Sequence, residues 1–311
     1  MNAEIIEHVS DYVKIIEHLA DGYHNSPGFI YRGQGKESYN LIPSVFRQYE
    51  IGTYGEADYF RTDVYENERA IIQEFMTEAA NFIQSIPIED RFSWVEYGQH
   101  FGIPTRLLDW TTNPLVALFF ACTSSPNDNA RVFILCESAY RRITNQEEDE
   151  EFLKHTVKEH AVNMIWGKPG GFSHPIVIRP YYLDKRMSAQ SSCFMVWGNE
   201  KSPLEVIIEK LEGKEKAGLL YDETVGNGVT STCIKPTDSL SFVTIPSENK
   251  LLILHELDRL GINQATLFPG LDGFNLRIVN QGASEISMMF GVSESYCSYA
   301  VRVLYKELFR Y

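Results

Sequence analysis

The sequence is poor in three features: paired cysteines, long apolar runs and positive charge. Its five cysteines are widely spaced, so they predict neither a disulfide framework nor a zinc site, and they fit a reducing cytoplasm. No run approaches the roughly 20 apolar residues of a membrane span, and residues 1–7 lack the basic-then-apolar order of a signal peptide. Because 42 acidic residues outnumber 28 lysines and arginines, the chain lacks the basic surface of a nucleic-acid scaffold. We therefore expect a cytoplasmic protein that uses no metal and does not contact a membrane.

The sequence does contain enough apolar material for a large core, because 44% of its 311 residues are hydrophobic and 13% are aromatic. Strand patterns such as 131–136 and 240–245 mix with helical patterns without regular β-α-β alternation. This mixture favours an α+β fold with a mixed-sheet core, flanked by N-terminal and C-terminal helices. Residues 57–83 have helical spacing and predict one long helix.

The domain organisation follows from the same patterns. We expect one domain over residues 1–275, with an acidic surface insertion near residues 144–151. Residues 276–311 are predicted to form a helical extension, in which residues 283–304 have weak helix-turn-helix spacing. The second of these helices carries a single cation, Arg302, and DNA affinity comes largely from phosphate neutralisation, so we do not expect it to bind DNA. We expect the pair to pack on the main body and to serve homo-oligomer formation.

The stretch 97–122 combines a polar first half, rich in glycine and proline, with an almost wholly apolar second half. Asn113 can cap a helix that has Pro114 at its first position, where the missing N–H costs nothing. Since residues 115–121 have no polar face, this helix should lie inside the core. The pattern predicts a reactive loop that is held on a rigid, buried support.

Four polar side chains in the first half of this stretch are candidates for chemistry. His100 can donate, accept or titrate near neutrality, and Thr105 offers a hydroxyl group. Arg106 supplies a cation, and Asp109 is either a base or the partner of that arginine. In the structural alternative, Arg106 and Asp109 form an ion pair that Trp110 covers and that organises the loop. The residues alone leave both roles open.

A second candidate site is a glycine-containing turn that follows a short strand pattern. It consists of Tyr31, Arg32, Gly33 and Gln34. Arginine offers a bidentate fork to phosphate or carboxylate, and glycine lets a ligand approach the backbone. The alternative is an arginine that is paired with an internal carboxylate. Further along, Gln190 precedes an apolar strand pattern and is either a ligand contact or a satisfied core amide.

These residues resemble the FRG-domain family of bacteria, which is named for a Phe-Arg-Gly turn. The resemblance runs from about residue 20 to residue 275. The matching blocks are Tyr31-Arg32-Gly33, the loop 41–47, residues 99–111, Pro114 with Ala117 and Phe120, Arg186 with Gln190, and residues 267–273. The block 99–111 is long and specific, so the chain is identified as a member of this family from its sequence.

The order of these blocks is also similar to that of ADP-ribosyltransferases of the Arg–Ser–Glu kind. Those enzymes have an aromatic-Arg-Gly strand, then a Ser/Thr-rich strand leading into an Asn-Pro helix, then a strand that carries a glutamate. The resemblance implies a mixed-sheet core like theirs, NAD as substrate, and a transferase or NAD glycohydrolase activity. It also implies the role of a toxin or phage-defence effector, whose macromolecular acceptor, protein or nucleic acid, stays open.

The same resemblance implies individual roles. Tyr31, Arg32, Gly33, Gln34 and Arg106 would bind the nucleotide, with Arg32 on its phosphates and Gly33 on the nicotinamide amide. His100 and Thr105 would shape the ribose pocket, and Gln190 or Asp109 would lie beside the reacting carbon.

Gln190 stands where those transferases have a catalytic glutamate, and it supplies no negative charge. Losing one such electrostatic contribution commonly costs roughly 10²–10³ in rate. Either another carboxylate replaces it, with Asp109 and Asp272 as candidates, or the fold binds a nucleotide without efficient turnover. Two alternatives therefore stand beside the transferase. One is a non-catalytic nucleotide- or nucleic-acid-sensing module, and the other is a hydrolase that uses His100 and Asp109 as general acid and base.

Overall fold

The computed structural model describes residues 4–21, 28–47, 49–54, 57–61, 64–83, 85–146, 150–180, 185–218 and 239–269. Its strands are β1 (Glu4–Ile5), β2 (Phe29–Gln34), β3 (Tyr49–Tyr54), β4 (Ala57–Arg61), β5 (Leu107–Thr111), β6 (Ala130–Cys136), β7 (Ile176–Ile178), β8 (Ser192–Val196) and β9 (Leu240–Ile245). Its α-helices are α1 (Val9–Asp21), α2 (Glu68–Ala79), α3 (Arg91–His100), α4 (Pro114–Thr123), α5 (Glu137–Thr144), α6 (Glu150–Ile165), α7 (Lys185–Ala189), α8 (Leu204–Gly218), α9 (Lys250–Arg259) and α10 (Gln264–Leu267).

Seven strands of the described chain form one sheet, in the order β1-β9-β6-β2-β5-β8-β7. β1 pairs with β9 in parallel, whereas the other neighbouring strands in this sheet pair antiparallel. β3 and β4 form a separate two-stranded antiparallel sheet. A mixed sheet with interspersed helices confirms the predicted α+β class.

The central strands explain where a cleft can open. β6 is apolar and almost wholly buried, as the sequence predicted for a central strand, and β2 pairs with it along its full length. On its other side, β2 pairs with β5 at Tyr31 and Thr111. Further along the two strands, the cleft is lined by Arg32 and Gly33 of β2 and by Asp109 of β5.

Helix α4 confirms the most detailed of the local predictions. The Asn113 side chain accepts a hydrogen bond of 3.0 Å from the Leu115 N–H, and Pro114 occupies the first helical position. The helix is buried at six of its ten residues, as expected for a helix without a polar face. It packs against β2 and therefore fixes the strand that carries Arg32.

Two local predictions were wrong in part. The pattern over residues 57–83 predicted one helix, but residues 57–61 form β4 and helix α2 covers only residues 68–79. The β4 segment is short and includes two aromatic residues, which favour strands, and it pairs with β3. The segment predicted as a reactive loop is not one loop. It consists of the end of α3, a turn over residues 101–106, and strand β5.

A buried lysine supports the end of α4. Lys250 is 2% exposed, and its ammonium donates to the carbonyl oxygens of Gly35, Ser124 and Ser125 at 2.8, 3.0 and 2.8 Å. Burial lowers the pKa of Lys250, while the three hydrogen bonds that its ammonium donates compensate for the loss of water. This contact ties α9 to the loop after α4 and to the loop after β2.

Among the residues that the structure describes, no helix is long and apolar enough to cross a membrane. The same residues contain no group of three or more histidine, cysteine, aspartate or glutamate side chains suited to a metal ion. The cysteines at 122, 136 and 193 are buried and not cross-linked. Part of the predicted acidic insertion, Asp272 and the whole of the predicted helical extension lie outside the described residues.

Candidate functional site

A cleft of about 1100 Å³ opens beside the diverging ends of β2 and β5. Helix α4 closes one side through Ala117 and Phe120, and the region around α7 closes another. The sequence-predicted candidates that line this cleft are Tyr31, Arg32, Gly33, Gln34, His100, Asp109 and Gln190. Residues that are far apart in the chain thus meet at one place, while their chemical roles stay predictions.

Two predicted site residues, Thr105 and Arg106, are placed elsewhere. Arg106 is 1% exposed, and its guanidinium donates to both carboxylate oxygens of Glu68, at 3.1 and 2.6 Å. A bidentate pair of this kind uses the arginine fork that a ligand phosphate would need. Arg106 therefore anchors α2 to β5 and is not placed to bind a nucleotide. The ion pair expected between Arg106 and Asp109 is not formed, because Glu68 takes the arginine.

Thr105 is fully buried and contributes to the site indirectly. Its hydroxyl donates to Gln99 Oε1 at 2.6 Å and accepts from the Leu107 N–H at 3.1 Å. The amide of Gln99 in turn donates to Asp109 Oδ2 at 2.9 Å. Thr105 thus fixes which way the Gln99 amide faces, and Gln99 holds the Asp109 carboxylate.

Arg32, the predicted phosphate anchor, lines the cleft, while its role stays a prediction. It is partly exposed to the cleft, and its Nη1 donates to the Asp109 backbone oxygen at 2.5 Å. Desolvation lowers the pKa of Arg32 to about 10; Asp109 opposes this change and Arg47 adds to it. The guanidinium is therefore still charged at neutral pH, and it faces the cleft without having been neutralised by a buried carboxylate.

Two buried donors in the cleft wall lack acceptors among the described residues. They are the Nε–H of Arg32 and the Nε1–H of Trp110. A buried donor without a partner costs about 1–3 kcal/mol. Acceptor oxygens of a ligand, after a small adjustment of these side chains, would remove that cost.

Gln190 is hydrogen-bonded through its side-chain amide, and whether it also contacts a ligand stays a prediction. It lines the cleft, and its amide Nε2 donates to the Leu267 carbonyl at 3.0 Å. The backbone carbonyl of Gln190 accepts from the Thr111 hydroxyl at 2.6 Å, which ties the start of β8 to the end of β5. One N–H of the side-chain amide is thus used by the residue at the end of α10, while these contacts involve neither the second N–H nor Oε1.

The charge of the cleft is opposite to that of the chain. Four cationic side chains line it, namely Arg32, Arg47, Arg186 and Lys201. Among the described lining residues, Asp109 supplies the single carboxylate. In a chain with a formal net charge of −14 this is a local concentration of positive charge, which attracts an anionic ligand.

Aromatic side chains share the cleft with these cations. Phe120 and Phe268 meet edge to face with their ring centroids 6.1 Å apart, and the Arg186 guanidinium lies 4.8 Å from the Phe268 ring. Tyr39 and Phe46 lie elsewhere on the lining. Lys201 could not be found from the sequence, because it carries no local motif and reaches the cleft only through the pairing of distant segments. The fold and the site thus define an α+β protein with a cationic, aromatic cleft.

Two family models match separate parts of the chain. Residues 27–130 match the model of the FRG domain, and residues 263–308 match the model of the ACT domain. The segment that matches the FRG domain contains β2, β5 and α4, and it supplies Arg32 and Asp109 to the cleft. Arg186, Gln190 and Lys201 come from beyond it. No curated protein and no solved structure matches the chain.

Proposed function

We propose that the cleft binds NAD or a related nucleotide and that the protein cleaves the nicotinamide–ribose bond. It would act as an ADP-ribosyltransferase or NAD glycohydrolase, in the role of a toxin or phage-defence effector. The observation that carries the proposal is the composition of the cleft: four cations and several aromatic rings facing a single carboxylate. Cations suit a pyrophosphate, and aromatic rings suit a base or a nicotinamide ring.

Arg32 is the residue that we assign to the pyrophosphate. Its guanidinium offers several donors in one plane, and its Nε–H, like the Nε1–H of Trp110, has no acceptor among the described residues. A phosphate oxygen that reached either donor would satisfy it. The preorganised arginine loses little conformational freedom on binding, because its Nη1 is already held by Asp109.

Asp109 is the residue that we assign to the reacting ribose. When the bond between C1′ and the nicotinamide nitrogen breaks, nicotinamide leaves as a neutral molecule with the bonding electrons, and positive charge develops on the sugar. A fixed carboxylate stabilises that charge where it forms. Water, or a nucleophile of an acceptor, then bonds to C1′ and releases its proton to Asp109 or to solvent. The Gln99 amide keeps this carboxylate oriented throughout.

The side chain of Gln190 favours a second candidate, a nucleotide-sensing module that binds without turnover. Its amide is neutral, so it supplies no negative charge where the transferases have a glutamate, and its Nε2 is held by the Leu267 carbonyl. Asp109 would be the only substitute among the described lining residues. The two candidates differ in one measurable respect, which is the release of nicotinamide.

Nicotinamide release from NAD tests the proposed activity. We expect the purified protein to release it, and we expect Asp109→Asn to reduce the rate roughly 10²–10³-fold, since the amide keeps the shape but removes the charge. Lys14→Ala is a control, because Lys14 is a solvent-exposed residue of α1. Product is measured by chromatography, with protein and oligonucleotide acceptors added in parallel reactions.

Two outcomes would contradict the enzymatic proposal. One is the absence of release by the folded wild-type protein with every acceptor, and the other is release by Asp109→Asn at the wild-type rate. If NAD raises the melting temperature of the wild-type protein without any release, the sensing module is the correct alternative.

A further inference from the structure

We infer that one end of the cleft is a binding site for single-stranded nucleic acid, which would serve as the acceptor substrate. The site is formed by four side chains, Tyr39, Phe46, Arg47 and Lys201, which together we call the mouth. The acceptor role rests on the proposed NAD chemistry, whereas binding of the strand can be measured without NAD.

The two cations of the mouth are positioned by contacts that leave their charge intact. The Nε–H of Arg47 donates to the Ile42 carbonyl at 3.1 Å, and Lys201 Nζ lies 3.6 Å from the centre of the Tyr65 ring. Neither a backbone carbonyl nor an aromatic ring neutralises a cation as a carboxylate would. Arg47 lies close enough to Arg32 for its charge to contribute to lowering the pKa of that arginine. An anionic ligand beside these like charges would reduce their repulsion.

The mouth is a built feature and not a chance arrangement of surface side chains. Its two halves are joined by backbone contacts, because the Leu204 N–H donates to the Leu41 carbonyl at 2.9 Å. The Glu205 carboxylate accepts from the Leu41 N–H at 3.0 and 3.1 Å. Phe46, which belongs to the mouth, also packs on the Tyr65 ring with the two centroids 5.1 Å apart. The loop that carries Arg47 and the segment that carries Lys201 are thus held in one arrangement.

The cleft is slightly larger than pockets that take one small molecule. Such pockets usually enclose about 300–1,000 Å³, and this cleft encloses about 1100 Å³. Arg186 stacks on Phe268, while Arg47 and Lys201 belong to the mouth. With the two phosphates of a dinucleotide assigned to Arg32, we assign the two cations of the mouth to a second anion.

The aromatic rings of the mouth indicate which class of anionic ligand binds there. Tyr39 is 50% exposed, and Lys36 Nζ lies 6.0 Å from the centre of its ring. Exposed rings next to cations are the arrangement on which bases of single strands stack while their phosphates meet lysine or arginine. An acidic peptide would use the cations but not the rings. The net charge of −14 repels a long duplex, so the inference is limited to a short single strand.

The transfer step balances without a further reactant. The bond between C1′ of the NAD ribose and nicotinamide breaks, and nicotinamide leaves neutral with the bonding electrons. A nucleophilic nitrogen or hydroxyl oxygen of the strand forms the new bond to C1′ and gives its proton to Asp109 or to solvent. No electron is exchanged with an oxidant or reductant.

Binding of a fluorescein-labelled 12-nucleotide single strand, followed by anisotropy at 50 mM salt without NAD, tests the inference. We expect the double substitution Arg47→Ala and Lys201→Ala to weaken binding at least tenfold. Two phosphate contacts predict a slope of about −1.4 for the logarithm of affinity against the logarithm of salt concentration, and the double variant should flatten it. Tyr39→Ala should weaken binding roughly tenfold with the slope unchanged, because stacking does not depend on salt.

The control is the double substitution Lys14→Ala and Lys168→Ala, which also removes two positive charges but none from the cleft. Circular dichroism verifies that each variant is folded. The inference is overturned if the wild-type protein does not bind the strand, if the mouth variant binds as well as the control, or if polyglutamate of equal charge competes as well as unlabelled strand. Nicotinamide release by the wild-type protein is measured separately, without an acceptor and with each acceptor. If the strand binds but no reaction releases nicotinamide, the proposed activity is refuted and the binding site at the mouth is supported. If nicotinamide is released but the strand does not bind, the proposed activity is supported and the binding site at the mouth is refuted.

Discussion

Glu68→Ala is expected to lower the free energy of unfolding by about 3–5 kcal/mol. Removing one partner of a buried ion pair leaves the other as an uncompensated charge in the interior. In the variant, the Arg106 guanidinium would keep only long contacts, to the Trp197 carbonyl at 3.5 Å and to Met164 Sδ at 3.6 Å. Its side chain is 2% exposed, so water could not replace the lost carboxylate without opening the core.

Chemical denaturation with matched variants measures this effect. Glu66→Ala removes an exposed carboxylate two residues earlier and should change the stability by less than about 0.5 kcal/mol. Replacing both partners by apolar residues, Glu68→Leu with Arg106→Met, should recover most of the loss, since no buried charge remains. If Glu68→Ala is as stable as Glu66→Ala, the pair is not buried as described and Arg106 would again be a candidate ligand-binding residue.

Gly33→Ala is expected to destabilise the protein by about 3 kcal/mol. A Cβ at this position would lie 1.9 Å from the Ala117 oxygen and 2.6 Å from the Ala121 nitrogen, both of which belong to the backbone of α4. Backbone atoms cannot rotate away, so β2 and α4 would have to separate, and overpacking of a core costs typically about 1–3 kcal/mol and occasionally more. This glycine is therefore required for helix–strand contact, whether or not a ligand also approaches it.

The matched control for this substitution is Gly213→Ala. Gly213 lies in α8, and a Cβ there would meet nothing within 4 Å. Because alanine favours helices over glycine by about 1 kcal/mol, the control should be neutral or stabilising. Equal stability of the Gly33 and Gly213 variants would contradict the described packing of β2 on α4.

The sequence predicted best those features that depend on neighbouring residues. The cap at Asn113, the proline after it and the buried helix α4 follow from side chains within a few positions of one another. The α+β class and the buried strand β6 follow in the same way from local patterns. The prediction of a helix over residues 57–83 was wrong for its first residues. The side chains there allow helical spacing, but the pairing of β4 with β3 makes the segment a strand.

The candidate site was harder to predict because its residues meet only through the sheet. Arg106 looked like a second ligand cation, and nothing near it in the chain indicates that Glu68, 38 positions away, occupies its guanidinium. Lys201 was missed because its place beside Arg47 depends on the contact between residues 41 and 204. Arg32 could be identified in advance because the strand and the glycine beside it are visible in the sequence.

The affinity of the wild-type protein and of Arg32→Ala for NAD, measured by calorimetry, tests the central claim most directly. Hydrogen bonds to a charged group contribute about 1.5–3 kcal/mol, so Arg32→Ala should weaken binding by roughly 10–150-fold. Because the pKa of Arg32 lies at about 10, the wild-type affinity should be constant between pH 6 and pH 8. Both results are expected if the cleft holds the pyrophosphate through Arg32. Wild-type affinity in Arg32→Ala, or no binding of NAD by the folded wild-type protein, would contradict it.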